Sequence, residues 1–323
     1  MNAPRIALAG TGFRAVTEHL AAALPAADIQ VAAPETIAGD GIEAEVLIPA
    51  MTRIDGPMMD RVRGLRLIQQ WGAGLEGVDI EAATRRGIAV ANVPSVETGN
   101  AESVAEWCVM AAIAASRQLP VLQQTIREGT GWGAPLGRAL LGKTAGILGL
   151  GGIGQALAKR LRPFGMRVSG VRRSPDPARA EELGLAWSGG LDSLPRLLRE
   201  SDFLFLCVPL AAGTRHIIDG AALARLPAGA VVINAGRGGL LDHDALLNAV
   251  DEGRVAGAVL DVFPEEPLDP GSPLLTRAQI IATPHIGGVT DVAYRGIAER
   301  VADNVRSLLA DQPLRNCVNR EPG

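Results

Sequence analysis

The sequence has no long apolar run. Its longest stretch without a charged residue, Thr144–Ala158, is about 15 residues and rich in glycine. A bilayer needs roughly 18 to 20 apolar residues, so a membrane protein is not expected. The opening residues, MNAPRIALAG, offer neither a basic n-region nor a cleavable apolar h-region, and no export signal is expected. Cysteine is scarce: Cys108, Cys207 and Cys317 are odd in number and far apart, with no metal-ligand or redox spacing. That fits a reducing cytoplasm and gives no metal site. Lysine is nearly absent, Lys143 and Lys159 being the only two among 31 cations; this bias carries no function by itself. A net charge of -4 leaves no footprint for nucleic-acid binding. Internal repeats, low-complexity tracts and Pro-rich linkers are also missing.

What is present has a globular balance, with 47% hydrophobic and 20% charged residues over 323 positions. That length suggests two domains. Short runs of Val, Ile, Leu and Ala alternate with stretches of helical period, the pattern of parallel sheets covered by helices. Strands are expected near Arg5–Ala9, Ile29–Ala32, Glu45–Ile48, Leu65–Gln69 and Ile88–Asn92, and these form a first α/β unit. A second series is expected at Thr144–Gly149, Arg167–Val171, Phe203–Val208, Ala230–Asn234, Ala256–Leu260 and Gln279–Ala282, enough for a dinucleotide-binding sheet. Long helices are expected at Asn100–Ser116 and Asp291–Leu309. Two such helices flanking the second unit suit a first domain that the chain leaves and re-enters.

At the end of one of these strands stands KTAGILGLGGIGQALAKRL, with Gly149, Gly151 and Gly154 in G-x-G-x-x-G spacing. The first glycine permits a tight turn, the second lets a pyrophosphate approach the backbone, and the third lets helix and strand pack closely. The diphosphate would rest on the helix N-terminus, and Gly152 and Ile153 share that turn. A second match, Gly10-Thr11-Gly12 with Ala15 and with Glu35 further on, is followed by the Gly-rich, acidic IAGDGIEAE. It reads as an ordinary strand-to-helix turn. About twenty residues beyond Gly149, where an acid would grip the ribose of NAD, the chain offers Arg172 and Arg173. Guanidinium groups there can pair with a 2′-phosphate, and no acid follows before Asp176, so NADP(H) is the preferred cofactor. The alternative is two solvated arginines in an enzyme that takes NAD(H).

Further on come VVINAGRGGLLD, VAGAVLDVFPEEPL and IIATPHIGGVT, each a strand with the loop after it. Sites in open α/β sheets lie at the carboxyl ends of strands, so Arg237, Glu266 and His285 can converge. A keto acid reduced by hydride needs a cation for its carboxylate and carbonyl, and a general acid for the new alkoxide. Arginine supplies the planar fork and histidine the proton. An acidic neighbour favours imidazolium and keeps that acid loaded.

These motifs resemble those of the D-isomer-specific 2-hydroxyacid dehydrogenase family, from LRLIQQWGAGLEGVDIEAATRRGIAVANVPS through the last helix. The resemblance implies an α/β fold of two Rossmann-like, doubly wound parallel-sheet domains. The catalytic domain, discontinuous and flavodoxin-like, would take residues 1–98 and 287–323, and the NAD(P)-binding domain residues 99–286. It implies that Arg237 binds substrate and polarises its carbonyl, that Glu266 rather than Glu265 orients the histidine, and that His285 is the acid/base. It further implies that Asp261 binds the nicotinamide carboxamide, with Ala235 and Gly236 beside it. Cys207, Val208 and Pro209 would line the adenine side, and Ser103 and Gly287 would belong to the cofactor site. Ala73 and Gly74 of the WGAG turn would offer N–H groups to the substrate carboxylate. A homodimer through the cofactor domain, around Asn100 to Leu141, is implied as well.

His19, His216 and His243 carry no such motif and read as a helix-face residue, a loop residue and the neighbour of a cap at Asp242. Cys207 reads as a small apolar residue within its strand, and Trp71 either lines a substrate pocket or fills core. Formate dehydrogenases of the family carry glutamine where Glu266 stands, so formate is disfavoured. The chain ends at Gly323 without room for the regulatory domain of many phosphoglycerate dehydrogenases. An NADP(H) preference suits reduction in the cell, so small 2-keto acids such as glyoxylate and hydroxypyruvate lead, with D-3-phosphoglycerate or another D-2-hydroxy acid and NAD as the alternative. A more remote alternative is a dinucleotide-sensing binding module, like the C-terminal binding protein corepressors.

Overall fold

The protein is described by a computed structural model, which covers residues 3–10 and 14–320. Thr11 and Gly12 of the second glycine match lie outside the described residues, as do 321–323. The chain forms two compact units, one made of Met1–Asn100 with Thr290–Gly323 and the other of Ala101–Val289. The sequence-based boundaries, after 98 and after 286, fall slightly earlier than these.

The first unit contains strands β1 (Arg5–Ala9), β2 (Asp28–Ala32), β3 (Ile42–Glu43), β4 (Val46–Ile48), β5 (Val62–Arg63), β6 (Leu67–Gln69) and β7 (Ala89–Ala91). Five of them form an all-parallel sheet in the order β2-β1-β4-β6-β7. That is the flavodoxin-like winding, with its switch point between β1 and β4. The short apolar strands alternate between two cores, as a sheet covered on both faces requires. In β1, Ile6 and Leu8 pack with Val16, Leu20, Ile297, Val301 and Val305. Ala7 and Ala9 pack on the other face with Ile37, Met59 and Ala83. The late helix Asp291–Leu309 is thus an integral layer of the early sheet.

A buried polar pair ties that helix down. Asn304 is 2% exposed and Gln69 fully buried. Asn304 Nδ2 donates to Gln69 Oε1 at 2.8 Å and to the Arg315 carbonyl at 3.0 Å, while its Oδ1 accepts from the Arg315 N–H at 2.8 Å. A buried amide so fully bonded fixes one alignment of helix and sheet.

The second unit contains β8 (Thr144–Leu148), β9 (Arg167–Val171), β10 (Trp187–Gly189), β11 (Phe203–Leu206), β12 (Ala230–Asn234), β13 (Val255–Leu260) and β14 (Ile280–Ala282). They make one parallel sheet, β10-β9-β8-β11-β12-β13-β14. In order this is the dinucleotide-binding winding with one strand added beyond β13. Leu204, Leu206, Val232 and Leu260 face one core, and Phe203, Phe205, Ile233 and Val259 the other.

Three strands were not expected from sequence. β3 and β5 pair only with each other, and β10 is a half-exposed edge strand in the Gly-rich AWSGG. Each is too short or too polar to show a period of two. The strand expected to reach Val208 stops at Leu206, so Cys207 lies just past it, half-buried against the core. Among the described residues no helix is long and apolar enough to cross a membrane.

Candidate active site

All strands of the second sheet run parallel, so the loops after β8, β11, β12, β13 and β14 share one edge. The glycine turn comes first. Gly149 has φ +106°, and a Cβ there would lie 2.7 Å from the Cys207 carbonyl; its N–H donates to the Val171 carbonyl at 2.9 Å. A Cβ on Gly151 would meet nothing within 4 Å, so open space adjoins the N-cap of helix Gly152–Leu161. A Cβ on Gly154 would lie 1.9 Å from the Gly149 carbonyl oxygen, which is why helix and turn touch there without side chains. The first-turn N–H groups, those of Gly152 and Ile153 among them, have no intrahelical acceptor. The cradle therefore fits a dinucleotide diphosphate.

Around it stand the remaining cofactor candidates. Arg172 and Arg173 directly follow β9, beside the Val171–Gly149 hydrogen bond. Cys207 N–H donates to the Leu148 carbonyl at 2.8 Å, carrying Val208 and Pro209 to the rim of the turn. Ser103 is buried on helix Asn100–Ser116, which also brings Val104 and Trp107 to within 3.7 Å of a Cβ built on Gly287.

After β12, Asn234 shapes the arginine turn. Fully buried, it donates from Nδ2 to the Arg237 carbonyl at 2.9 Å and accepts the Gly236 N–H at 3.1 Å. Ala235 and Gly236 lie within that bracket, and Arg237 Nη1 donates to the Gly236 carbonyl at 2.8 Å. A Cβ on Gly238 would fall 1.9 Å from the Phe263 carbonyl carbon, so the arginine turn rests on the loop that carries Glu266.

Glu266 is held at both oxygens. Oε1 accepts the Phe263 N–H at 2.8 Å, and Oε2 meets His285 Nδ1 at 2.8 Å. Its neighbour Glu265 is solvent-exposed. Burial alone would raise the Glu266 carboxyl, but the hydrogen bond and charge of His285, the Phe263 N–H and the Arg237 charge together hold it below the usual carboxylate range. An ionised Glu266 thus faces one ring nitrogen, and Nε2 is the atom left to exchange a proton with substrate.

The histidine is held by a backbone device. His285 has φ +54°, a left-handed conformation that L side chains seldom adopt and that costs of order 1 kcal/mol or more. Its N–H donates to the Asp261 and Thr283 carbonyls at 2.9 and 3.0 Å. The Asp261 carboxylate, 3% exposed, accepts from the Thr283 hydroxyl at 2.6 Å, Ile286 N–H at 2.8 Å and Gly287 N–H at 2.7 Å. The resemblance gives Asp261 to the nicotinamide carboxamide; here three of its roughly four acceptor positions already anchor the histidine turn. Thr283, Asn234 and Phe263 were not singled out from sequence. Asn234 carried a signal, an amide at a strand end just before G-R-G, whereas Thr283 and the Phe263 N–H show their roles only in the folded chain.

Ala73 and Gly74 belong to the first unit. The carbonyls of Gly72, Ala73 and Gly74 accept from Val93 N–H at 2.8 Å, Asn92 Nδ2 at 2.8 Å and Gln70 Nε2 at 2.6 Å. Among the described residues the N–H groups of Ala73 and Gly74 find no acceptor. Trp71 packs half-buried against the first unit's core, edge-on to Tyr294 at 5.6 Å, which favours the core-filling alternative. His19 lies on helix Arg14–Ala23, His216 in a loop, and Asp242 caps helix His243–Asp251 through the Ala245 N–H. Among the described residues no group of three or more His, Cys, Asp and Glu is placed to hold a metal.

Comparison with known proteins adds four matches. Residues 109–287 match the family model described as D-isomer specific 2-hydroxyacid dehydrogenase, NAD binding domain. The chain is 39% identical over 276 residues to D-3-phosphoglycerate dehydrogenase of Mycobacterium tuberculosis, covering 85% of this chain and 51% of that protein. It spans about half the length of the curated D-3-phosphoglycerate dehydrogenases it matches. It is 36% identical to glyoxylate reductase of Thermococcus litoralis, over 86% of this chain and 85% of the relative. Among solved structures, an NADPH-dependent glyoxylate/hydroxypyruvate reductase from Sinorhizobium meliloti, in complex with NADP and malonate, superposes with a TM-score of 0.82 at 30% identity, over 99% and 98% of the two chains.

Proposed function

This chain belongs to the D-isomer-specific 2-hydroxyacid dehydrogenase family, and from that premise we propose that it interconverts a small 2-keto acid and its D-2-hydroxy acid, reducing glyoxylate and hydroxypyruvate with NADPH. The observation that carries the reading is the 2.8 Å His285–Glu266 pair within reach of the Arg237 charge, on the sheet edge that holds the glycine turn. A bound nicotinamide dinucleotide supplies the hydride for C2. His285 Nε2 delivers the proton to the forming alkoxide and takes it back in the reverse direction. Glu266, ionised throughout, stabilises the imidazolium and fixes the ring through Nδ1. Arg237 draws charge onto the carbonyl oxygen and offers a fork to the carboxylate. In the first unit, the N–H groups of Ala73 and Gly74 are proposed as an anion-binding pair.

Arg172 and Arg173 beside the turn favour NADPH, and the Sinorhizobium relative is described as NADPH-dependent. The 39% identity to D-3-phosphoglycerate dehydrogenases supports a second reading, oxidation of that phosphorylated acid with NAD. Initial rates with NADPH and NADH against glyoxylate, hydroxypyruvate, pyruvate, phenylpyruvate and 3-phosphohydroxypyruvate separate the two. Fast NADPH oxidation with the first two acids is expected. Replacing Arg172 and Arg173 together by Ala should raise KM for NADPH at least tenfold more than for NADH, each charged phosphate contact being worth about 1.5–3 kcal/mol. Equal shifts would remove the 2′-phosphate argument, and silence with every acid would move weight to a dinucleotide-sensing binding module.

The cytoplasm is the proposed compartment, and a homodimer through the second unit the proposed assembly. Helix Asn100–Ser116 and the segment after it expose Met110, Ile113, Ile126, Trp132, Leu136 and Leu141, with Trp132 at 96% and Leu136 at 93%. Apolar side chains so displayed on one stretch mark an interaction surface. Light scattering on a size-exclusion column should return twice the monomer mass, and a monomer at micromolar concentration would count against the dimer.

A further inference from the structure

The cofactor discrimination just proposed has an internal opponent. Asp176 Oδ2 lies 3.8 Å from Arg172 Nη1, both side chains partly exposed. The other oxygen, Oδ1, accepts the Arg179 N–H at 3.0 Å and caps helix Pro177–Glu182. Arg179 in turn reaches the glycine turn: its Nε donates to Gln155 Oε1 at 2.7 Å, and Gln155 Nε2 donates to the Leu150 carbonyl at 3.0 Å. The remaining end of Arg179 pairs with Glu182. The guanidinium of Arg179 therefore reaches the turn through Gln155, and Arg172 and Arg179 have Asp176 and Glu182 as resident counter-ions.

We propose that Asp176 is a specificity-determining residue that holds back the preference for NADPH, because its carboxylate, 3.8 Å from Arg172 Nη1, partly neutralises the cation that a 2′-phosphate must capture. The inference rests on the 2′-phosphate reading of Arg172. A 2′-phosphate brings nearly two negative charges and three acceptor oxygens, and must compete with that carboxylate for the Arg172 guanidinium. A ribose 2′-hydroxyl brings no charge to that competition, and Asp176 Oδ2 can accept that hydroxyl as acids do in NAD sites. The acid thus penalises one dinucleotide and tolerates the other. Because Oδ1 is engaged in the cap, the carboxylate cannot swing far, and its effect depends on charge more than on position.

Asp176→Asn isolates that charge, since Asn caps a helix as well as Asp does. Calorimetric affinities for adenosine 2′,5′-bisphosphate and for AMP, with KM for NADPH and NADH, are measured on wild type, Asp176→Asn, Arg172→Ala and the double variant. Asp176→Asn is expected to tighten the bisphosphate and lower KM for NADPH about threefold, the scale of one partly exposed ion pair, with AMP and NADH unimproved. The gain should vanish in the Arg172→Ala background and shrink as salt is raised. If Arg172→Ala discriminates between the nucleotides while Asp176→Asn changes nothing, or tightens both alike, this inference alone is overturned. If Arg172→Ala moves both nucleotides equally, the 2′-phosphate reading fails and takes the inference with it.

Discussion

His285→Gln is expected to lower kcat for keto-acid reduction by about 10²- to 10⁴-fold, the usual worth of a positioned general acid, while NADPH binding followed by fluorescence stays unchanged. The amide can still donate a hydrogen bond, but it carries no proton to transfer. Glu266 Oε2 loses the 2.8 Å partner that helps keep its carboxyl ionised, so that group moves back toward ordinary carboxylate behaviour. Cofactor affinity is expected to be spared because the substitution leaves the glycine turn at Gly149, Gly151 and Gly154 unaltered. A second variant guards against a collapsed turn: position 285 sits at φ +54°, where Asn is among the side chains best accommodated. His285→Asn should therefore show the same loss with a wild-type melting curve. Undiminished turnover in either variant would falsify the assignment of His285 as the acid.

Gly238→Ala is expected to cost nearly as much without touching any reacting group. Its Cβ would stand 1.9 Å from the Phe263 carbonyl carbon and 2.3 Å from the Pro264 nitrogen, both backbone atoms with no rotamer to escape into. Either the arginine turn or the Phe263–Glu266 loop has to move. If the first moves, Arg237 leaves its bracket at Asn234; if the second, the Phe263 N–H leaves Glu266 Oε1. A displacement of about 1 Å at a reacting geometry costs on the order of 10²-fold in rate. The overpacking itself should cost about 1–3 kcal/mol of stability. Steady-state kinetics and urea unfolding check both, and a variant with wild-type kcat/KM would show that the close approach is dispensable.

Much of the second sheet was legible because its strands are continuous apolar runs separated by turns. The two long helices are found at Asn100–Ser116 and Asp291–Leu309, the spans expected from sequence. Edge elements were not legible: β10 is half-exposed and ends in glycine, and β3 and β5 are two residues each. Nor could the sequence show that Asp261 grips a turn more than twenty residues away, since three of its bonds go to backbone or hydroxyl groups common to any loop. The left-handed backbone at His285 was hidden for a related reason. A His between Pro and Ile carries no conformational signature, and only the converging acceptors of Asp261 and Thr283 impose it. The reach of Arg179 to Gln155 across two helices likewise depends on tertiary placement that no spacing rule encodes.

The helix Asp291–Leu309 forms one face of the core under β1, β4 and β6, and this has a consequence for synthesis. A ribosome delivers the five strands of that sheet first, then the whole of residues 101–289, and only then the helix that covers them. At about 5–20 residues per second the gap lasts roughly 10 to 40 seconds. Through that interval the apolar faces of Ile6, Leu8, Ile48 and Leu67 have helix Arg14–Ala23 beside them but lack Ile297, Val301 and Val305, so their cover is incomplete. The second unit, contiguous in sequence, can close as soon as it emerges. The order of birth is therefore the reverse of the order of completion, and the nascent first sheet is the part of this molecule that most needs shelter by a holding chaperone.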